Sequence, residues 1–472
     1  MKNIRNIISI VALCLLTSTA FAHEENNQLF RKSWTMIASI QVDDYSKSLK
    51  QLSYLDFDIA GVDANAKIID LLINEHQYNE LKTLGFVVEI LETKGVTAGP
   101  DQDYKNPEEI EILLKNFHTR FKDITKLVSI GKSLEGRDIW AIKISDSPNT
   151  NDLSEPTVLF NSMHHAREIM TPEVSIDIIE YLLTNYNSNS RVTNWVNNAQ
   201  IWVMPMFNVD GNNKMWNFDS YWRKNTRGGF GVDLNRNYPT GWNSCNGSSG
   251  SESSQTYRGP SPASEPETQA MMAFIKKIRP VFDISYHAYS ELVIYPYGCG
   301  KMRTQTKEVV EKIGKEVAAL LDYKPGTAWE LLYNADGGDI DWMYEAYQVI
   351  PYVIELNSRR AGFHPKYSKW RDKTVERNRD GWQYLLKRVF ESGVRGTVSS
   401  QQGALSQFRV EVSKISANKK VFFQNYVGHT TGAYHIVLNP GTYALDIKVG
   451  NKTLKSERVT IGTTLERLDI KL

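Results

Sequence analysis

The chain has 472 residues, with 55 basic and 54 acidic side chains and a formal net charge of +1. So even a balance gives no footing for nucleic acid or an anionic membrane as a partner. The length provides for about two to four domains with ample material for a large core.

Residues 1–22 read as a secretory signal peptide. Lys2 and Arg5 supply the positive start, Ile7 to Leu16 an apolar run, and Ala20-Phe21-Ala22 a small-x-small cleavage site. The apolar run is too short to span a bilayer permanently, and no later segment approaches the needed length, so no integral membrane segment is expected after its removal. Cys14 follows Leu13 rather than a small residue, which speaks against lipid attachment. The expected location is therefore periplasmic or secreted. Two cysteines then remain, Cys245 and Cys299, either joined as one disulfide or left as buried thiols.

Residues 34–91 carry a duplicated pattern: Leu52-x-x-Leu55-x-Phe57 recurs as Leu81-x-x-Leu84-x-Phe86. With strand-like runs at Met36–Val42, 58–60, Lys67–Ile73 and 87–90, this predicts strand–helix–strand twice, a small α+β unit. Thr93 to Asp101 is a polar linker bearing Gly and Pro, where a protease would cut. From about Tyr104 to Ser392, strands alternate with helices. Apolar runs end at Met163, Phe207, Tyr286 and Ile354; one helix is expected from Thr171-Pro172, and another behind a capping-box spacing at Ser264-Glu265-Pro266-Glu267. Such alternation predicts an α/β domain with a mixed, mostly parallel twisted sheet and helices on both faces. Beyond Gly393 the best runs are short strands at 394–398, 408–412, 434–438, 442–449 and 468–472. Asn439-Pro440-Gly441 is expected as a hairpin turn, and a β-sandwich is the natural reading.

Within the α/β region, His165-Ala166-Arg167-Glu168 and the distant His287 offer two imidazoles and one carboxylate, a zinc ligand set that leaves a position open for water. His165, His287 and Glu355 each fall at or just past the end of a strand-like run, where open α/β sheets place their ligands. Asn235-Arg236 pairs an amide with a guanidinium, suited to gripping a carboxylate. Arg223 follows an aromatic pair, and Tyr333 lies on a Gly-flanked loop of the kind a lid needs. Each motif taken singly also has a plainer structural reading. Glu355, a carboxylate ending an apolar strand, is the exception that favours function.

Taken in order, and with Gly131 to Arg137 and Tyr295-Pro296-Tyr297-Gly298, these motifs resemble the zinc carboxypeptidases of the pancreatic carboxypeptidase A/B and bacterial carboxypeptidase T type. The resemblance covers residues 104–392. It implies one Zn2+ held by His165, Glu168 and His287, with His164 a neighbour rather than a ligand. It implies Glu355 as general base and Arg223 as the group stabilising the carbonyl oxyanion. Asn235 and Arg236 would clamp a peptide's terminal carboxylate, Tyr333 would close over it, and Arg167 and Tyr289 would line the next subsite. The terminal-residue pocket would have Ile340 as its floor, with Gly298, Ala328, Ala335 and Val353 around it. Ile340 points to hydrophobic or aromatic terminal residues, and the adjacent Asp339 to some acceptance of Lys or Arg. The expected organisation is a signal peptide (1–22), an inhibitory propeptide acting on its own chain (23–100), a catalytic domain (101–392) and a transthyretin-like β-sandwich (393–472). Expected partners are peptide and protein C-termini, with no nucleic acid, and the chain is expected to be a monomer. Two further readings stay open: a zinc peptidase trimming cell-wall peptides, and an inactive peptide-binding surface protein.

Overall fold

The computed structural model describes residues 34–95, 99–152, 154–417 and 419–472. The expected signal peptide and its Cys14 lie outside the described residues, as does part of the linker. Among the described residues no helix is long and apolar enough to cross a membrane. The chain divides into two compact units, Met1–Ala98 and Gly99–Leu472.

In the first unit, β1 (Trp34–Gln41), α1 (Tyr45–Tyr54), β2 (Asp58–Asp63), β3 (Ile68–Ile73), α2 (Glu75–Thr83) and β4 (Val88–Gly95) follow one another. The strands form an antiparallel sheet in the order β2-β3-β1-β4, the strand–helix–strand duplication expected from the repeat. Asn74 caps α2 by accepting from Gln77 N at 2.9 Å, while Gln77 Oε1 accepts from Asn74 N at 3.1 Å. Two otherwise orphaned amides are satisfied in this way.

The second unit opens with α3 (Pro107–Arg120), β5 (Thr125–Lys132), β6 (Asp138–Ile144), β7 (Thr157–Ser162), α4 (Thr171–Asn185), α5 (Ser190–Asn198), β8 (Gln200–Met204) and α6 (Val209–Asn217). It continues with α7 (Pro266–Ile278), β9 (Phe282–Ala288), β10 (Leu292–Ile294), α8 (Lys307–Leu321), β11 (Lys324–Gly326), α9 (Ala328–Leu331), α10 (Asp339–Tyr347), β12 (Ile350–Leu356) and α11 (Tyr367–Arg388). Eight strands form one mixed sheet in the order β11-β10-β12-β9-β7-β8-β6-β5. Its centre, β12-β9-β7-β8, is parallel throughout, and every residue of β7, β8 and β9 is buried. Burial on both faces is why these strands read as unbroken apolar runs rather than alternating ones.

Beyond α11, β13 (Gly393–Ser400), β14 (Gly403–Ala404), β15 (Arg409–Ser416), β16 (Lys419–Val427), β17 (Ala433–Val437), β18 (Gly441–Val449), β19 (Lys452–Ile461), β20 (Leu465–Arg467) and β21 (Ile470–Lys471) form two sheets, consistent with a β-sandwich. One has β13 paired with β14, β17, β20 and β21; the other runs β16-β15-β18-β19.

Two local expectations are corrected. Asn439-Pro440-Gly441 does not close a hairpin, because β17 pairs with β13 whereas β18 pairs with β15 and β19. The turn carries the chain from one sheet to the other. The capping box at Ser264 does not form either. Glu265 is the N-cap of α7 and makes no side-chain cap, since its carboxylate is taken by Arg227, Asn225 and Ser264. An ion pair inside the loop wins over the local cap.

Trp382 of α11 ties this helix to the sheet. It is wholly buried, with Tyr181, Phe160 and Trp195 edge-on at 5.4, 6.2 and 6.3 Å. Trp382→Ala should cost about 3–5 kcal/mol through lost burial and the cavity left behind, read as a lowered denaturant midpoint with unchanged slope.

Candidate active site and metal centre

Three adjacent parallel strands end on one edge of the sheet, and each delivers a functional side chain there. His287 and Glu355 are penultimate in β9 and β12 and lie directly opposite each other in the register of that pair. Residues paired in this way project to the same face. The chain leaving β7 turns at Met163, whose φ is 68°, and brings His165 and Glu168 to the same point.

That turn is not helical and is tethered from outside. Ala166 N donates to Arg223 O at 2.9 Å, and Asn208 and Asn212 donate to the carbonyls of His164 and Ala166 at 3.0 and 2.9 Å. Thr171 Oγ1 donates to Glu168 O at 2.8 Å, joining the turn to the start of α4. Buried carbonyls in an irregular segment need such partners.

His165 Nδ1 lies 2.7 Å from Glu168 Oε1 and 3.0 Å from His287 Nδ1, which is itself 3.1 Å from Glu168 Oε2. All three residues are buried. The far side of each ring decides its tautomer. His165 Nε2 faces Asp233 Oδ1 at 3.2 Å, so it carries the proton and leaves Nδ1 with a lone pair. Asp233 is oriented by Arg223, whose Nε and Nη2 donate to Oδ2 at 3.1 and 2.9 Å, and by Asn235 N at 3.0 Å. His287 Nε2 lies 3.3 Å from Ser285 Oγ, whose own proton goes to Asn161 Oδ1 at 3.3 Å, so the hydroxyl can accept from Nε2–H and leave the Nδ1 lone pair inward. Ala288 N donates to Glu168 Oε2 at 3.2 Å.

Two imidazole lone pairs and a carboxylate thus converge within about 3 Å. A four-coordinate zinc with bonds of about 2.0–2.2 Å holds its donors about 3.3 Å apart, so the donor set, its spacing and its outer hydrogen bonds fit that ion. His164 is not part of the set. Its Nε2 points to Tyr238 OH at 3.2 Å and Asp339 Oδ2 at 3.6 Å, and its ring stacks on His287.

The charges follow from these contacts. Burial pushes the Glu168 carboxyl up, but His165 and His287 together outweigh it and hold the group below the usual carboxylate range. Glu355 behaves oppositely. It is half-buried, and its carboxylate makes no hydrogen bond among the described residues. Desolvation, reinforced by Glu168 and opposed by His287, Arg223 and Arg236, pushes its carboxyl up to about 8. A group poised near neutrality beside the donor set is equipped to take and return a proton.

Of the other expected contacts, Asn235 and Arg236 sit in the short 3-10 turn Leu234–Arg236 next to His287, with Asn235 Nδ2 3.4 Å from His287 Nε2. Arg236 donates Nε to Gly247 O at 3.0 Å and Nη1 to Asn235 O at 2.7 Å, leaving Nη2 without a hydrogen bond among the described residues. Tyr333 is half-buried between α9 and α10, and its hydroxyl has no hydrogen bond among the described residues. The loop behind it is not free, however. Ala335 N donates to Gly298 O at 3.0 Å and Tyr238 N to Gly337 O at 2.9 Å, while Asp336 accepts from Cys245 N and Gly247 N at 3.1 Å. Gly337 has φ of 66°, and a Cβ there would strike Arg236 O, so the loop presses against the Asn235–Arg236 turn. Cys245 and Cys299 are disulfide-bonded, with Cα atoms 5.9 Å apart, which closes this wall.

Ile340 is buried in the first turn of α10, and Gly298 N donates to the adjacent Asp341 at 2.9 Å, bringing the expected pocket residues Gly298, Ala335 and Ile340 together. Two further expected substrate contacts are enclosed by neighbouring side chains. Asp339 is fully buried, its Oδ1 taken by Ile340 N at 2.8 Å and its Oδ2 turned toward His164 at 3.6 Å. Arg167 is also fully buried, its guanidinium 4.3 Å from the centre of the Phe363 ring, while Tyr289 meets the same ring edge-on at 5.0 Å. Asp233, Ser285 and Phe363 were not singled out from sequence. Asp233 stands two residues before Asn235 and Ser285 two before His287, so a search for hydrogen-bond partners beside each expected functional residue would have found both.

Comparison with known proteins agrees with this geometry. The sequence pattern of the zinc carboxypeptidase family matches residues 110–380. Carboxypeptidase O of Bos taurus is 30% identical over 261 residues, which are 52% of this chain and 68% of that protein. Carboxypeptidase B of Rattus norvegicus is 29% identical over 340 residues, 68% of this chain and 79% of that protein. Carboxypeptidase D of Homo sapiens matches 76% of this chain at 27% identity, and the match spans 26% of that longer protein. In fold, the crystal structure of carboxypeptidase A from Helicoverpa armigera superposes with a TM-score of 0.64 at 24% identity, over 74% of this chain and 95% of that one. The chain belongs to the zinc carboxypeptidase family and is a metallocarboxypeptidase.

Proposed function

We propose that this enzyme is exported as a zymogen and removes single, mainly hydrophobic residues from peptide C-termini. The observation that carries the reading is the placement of Glu355 directly across the strand pair from His287, beside the convergent lone pairs of His165 and His287 and the Glu168 carboxylate. Zinc held by these three residues would polarise the scissile carbonyl and lower the pKa of water from about 15.7 to about 7.

The protein's own groups supply the rest. Glu355 takes a proton from the attacking water and returns it to the leaving amine. Arg223 offers a fixed positive charge to the developing oxyanion, and the Asp233 carboxylate holds it in place beforehand. Asn235 and the unengaged Nη2 of Arg236 receive a terminal carboxylate, which restricts cleavage to the last peptide bond because only a chain end presents that group. Tyr333, ahead of the pinned part of its loop, covers the bound end. Ile340 at the pocket and the inward-turned Asp339 favour apolar terminal residues over Lys or Arg. Residues 23–100 serve as the intramolecular inhibitor, a role supported by the separate compact unit that ends with β4, whose last residues 93–95 belong to the sheet rather than to the linker. Export is supported by residues 1–22 of the sequence and suits the Cys245–Cys299 disulfide.

A chain cut within 96–101 should release Phe and Leu faster than Lys or Arg from otherwise identical peptides. The uncut chain should release all of them more slowly, and equal rates for Lys and Phe would remove the proposed preference. Glu355→Gln should lower kcat by about 100- to 10,000-fold with zinc retained at one per chain; wild-type turnover in that variant would sink the general-base role. Asp233→Asn should weaken zinc binding by about 10- to 100-fold in a chelator competition, because Arg223 claims the one remaining oxygen and the amide NH2 then faces His165 Nε2.

A further inference from the structure

We infer that the C-terminal sheets take part in selecting the terminal residue of the substrate, by bracing α10 from the end opposite the pocket. This rests on the reading above in which Ile340 forms the pocket floor. The helix α10 has nine residues and is about 13 Å long. Its first turn belongs to the site: Asp339 N donates to Asn235 Oδ1 at 2.9 Å, and the Asp341 carboxylate accepts from Gly298 N. Trp342, one residue further on, stacks on Tyr238, which bonds His164 behind the metal ligands.

The last turn belongs to the C-terminal sheets. Gln424 of β16 donates Nε2 to Tyr344 OH at 3.3 Å, and both residues are buried. The same hydroxyl bonds Thr306 Oγ1 at 3.0 Å. Gln348 terminates the helix in a left-handed conformation, φ 54°, and its Oε1 accepts from Val427 N at 2.9 Å. Arg279 lies 3.9 Å from the centre of the Tyr347 ring and reaches Val427 O at 3.4 Å, binding helix, sheet and the end of α7 together. Arg279 also donates Nε to Lys276 O at 3.2 Å, which ties the guanidinium to the end of α7 while the Tyr347 ring and Val427 O hold its far side.

A short helix gripped at both ends transmits displacement as a rigid body, since packed interiors deform little. Moving the Gln424–Val427 edge therefore moves Ile340 relative to Asn235 and Arg236, which changes the fit of the terminal side chain more than it changes proton transfer at Glu355. The C-terminal sheets are in this sense positioning elements, remote from the reacting atoms.

The test uses the full, processed chain with Gln424→Leu and, separately, Arg279→Ala, with Arg395→Ala as control. Arg395 donates to Ser154 O at 2.7 Å and holds the same seam away from α10. Gln424→Leu and Arg279→Ala should speed amide exchange in residues 339–347. They should also raise KM for hydrophobic-ended peptides and alter the Phe-to-Leu selectivity ratio by about threefold or more, with kcat held within about twofold. Arg395→Ala should leave KM and the ratio at wild-type values. Unchanged exchange in α10, faster exchange with unaltered KM and ratio, or an equal change in Arg395→Ala would each overturn the brace. A wild-type chain inactive on every terminal residue would overturn the functional reading instead, while the exchange measurement still decides whether the sheets hold the helix.

Discussion

Two imidazole lone pairs and a carboxylate held within about 3 Å of one another repel, and burial strengthens the repulsion by removing water. The arrangement survives only if every outer atom of those groups is fixed and positive charge can enter the middle. Much of the surrounding structure answers this demand. Asp233, aligned by Arg223, faces the Nε2–H of His165, Ser285 faces Nε2 of His287, and the Ala288 amide holds Glu168. The irregular turn carrying His165 and Glu168 is secured by Asn208, Asn212 and Thr171, so the donors do not relax away from each other.

The same demand explains the position of the site on the sheet. Parallel strands β7, β9 and β12 bring their carboxyl ends to one edge, and the register places His287 beside Glu355 without any loop having to find its partner. The remaining expected contacts fall to segments laid over that edge: the Asn235–Arg236 turn, the loop carrying Tyr333, and the first turn of α10. These press on one another through Gly337, Asn235 and Gly298, and the disulfide closes them from outside. Because α10 also ends against β16, the β-rich C-terminal segment is mechanically continuous with the wall of the site rather than merely attached to the catalytic fold.

The convergence of His165, Glu168 and His287, the strand-end Glu355 beside them and the alternating α/β architecture were legible because each leaves a local mark: a short spacing, a charged residue ending an apolar run, a change of period. What escaped had no such mark. β19 is exposed along most of its length and carries Lys452, Lys455, Glu457 and Arg458, so it lacks the apolar alternation that announces a half-buried strand. β16 begins with four exposed residues, among them Val421 and Phe422, and was missed for the same reason. The capping box at Ser264 was mistaken because Arg227, distant in sequence, claims Glu265. The turn at Asn439 has hairpin chemistry, but the strands it joins find better partners in different sheets.

Sequence alone therefore determined the chemistry available to this protein: which residues can bind a metal, move a proton or grip a carboxylate, and on what kind of scaffold. Spacing within a strand end or a turn is local, and local geometry follows from backbone periodicity. Tertiary structure decided which way those residues face. It buried Arg167 beneath Phe363, turned Asp339 inward against His164, supplied Asp233 as the partner that sets the tautomer of His165, and joined α10 to β16. Each of these outcomes depends on contacts between segments far apart in the chain, where packing and competition for hydrogen-bond partners prevail over anything a neighbouring residue can impose.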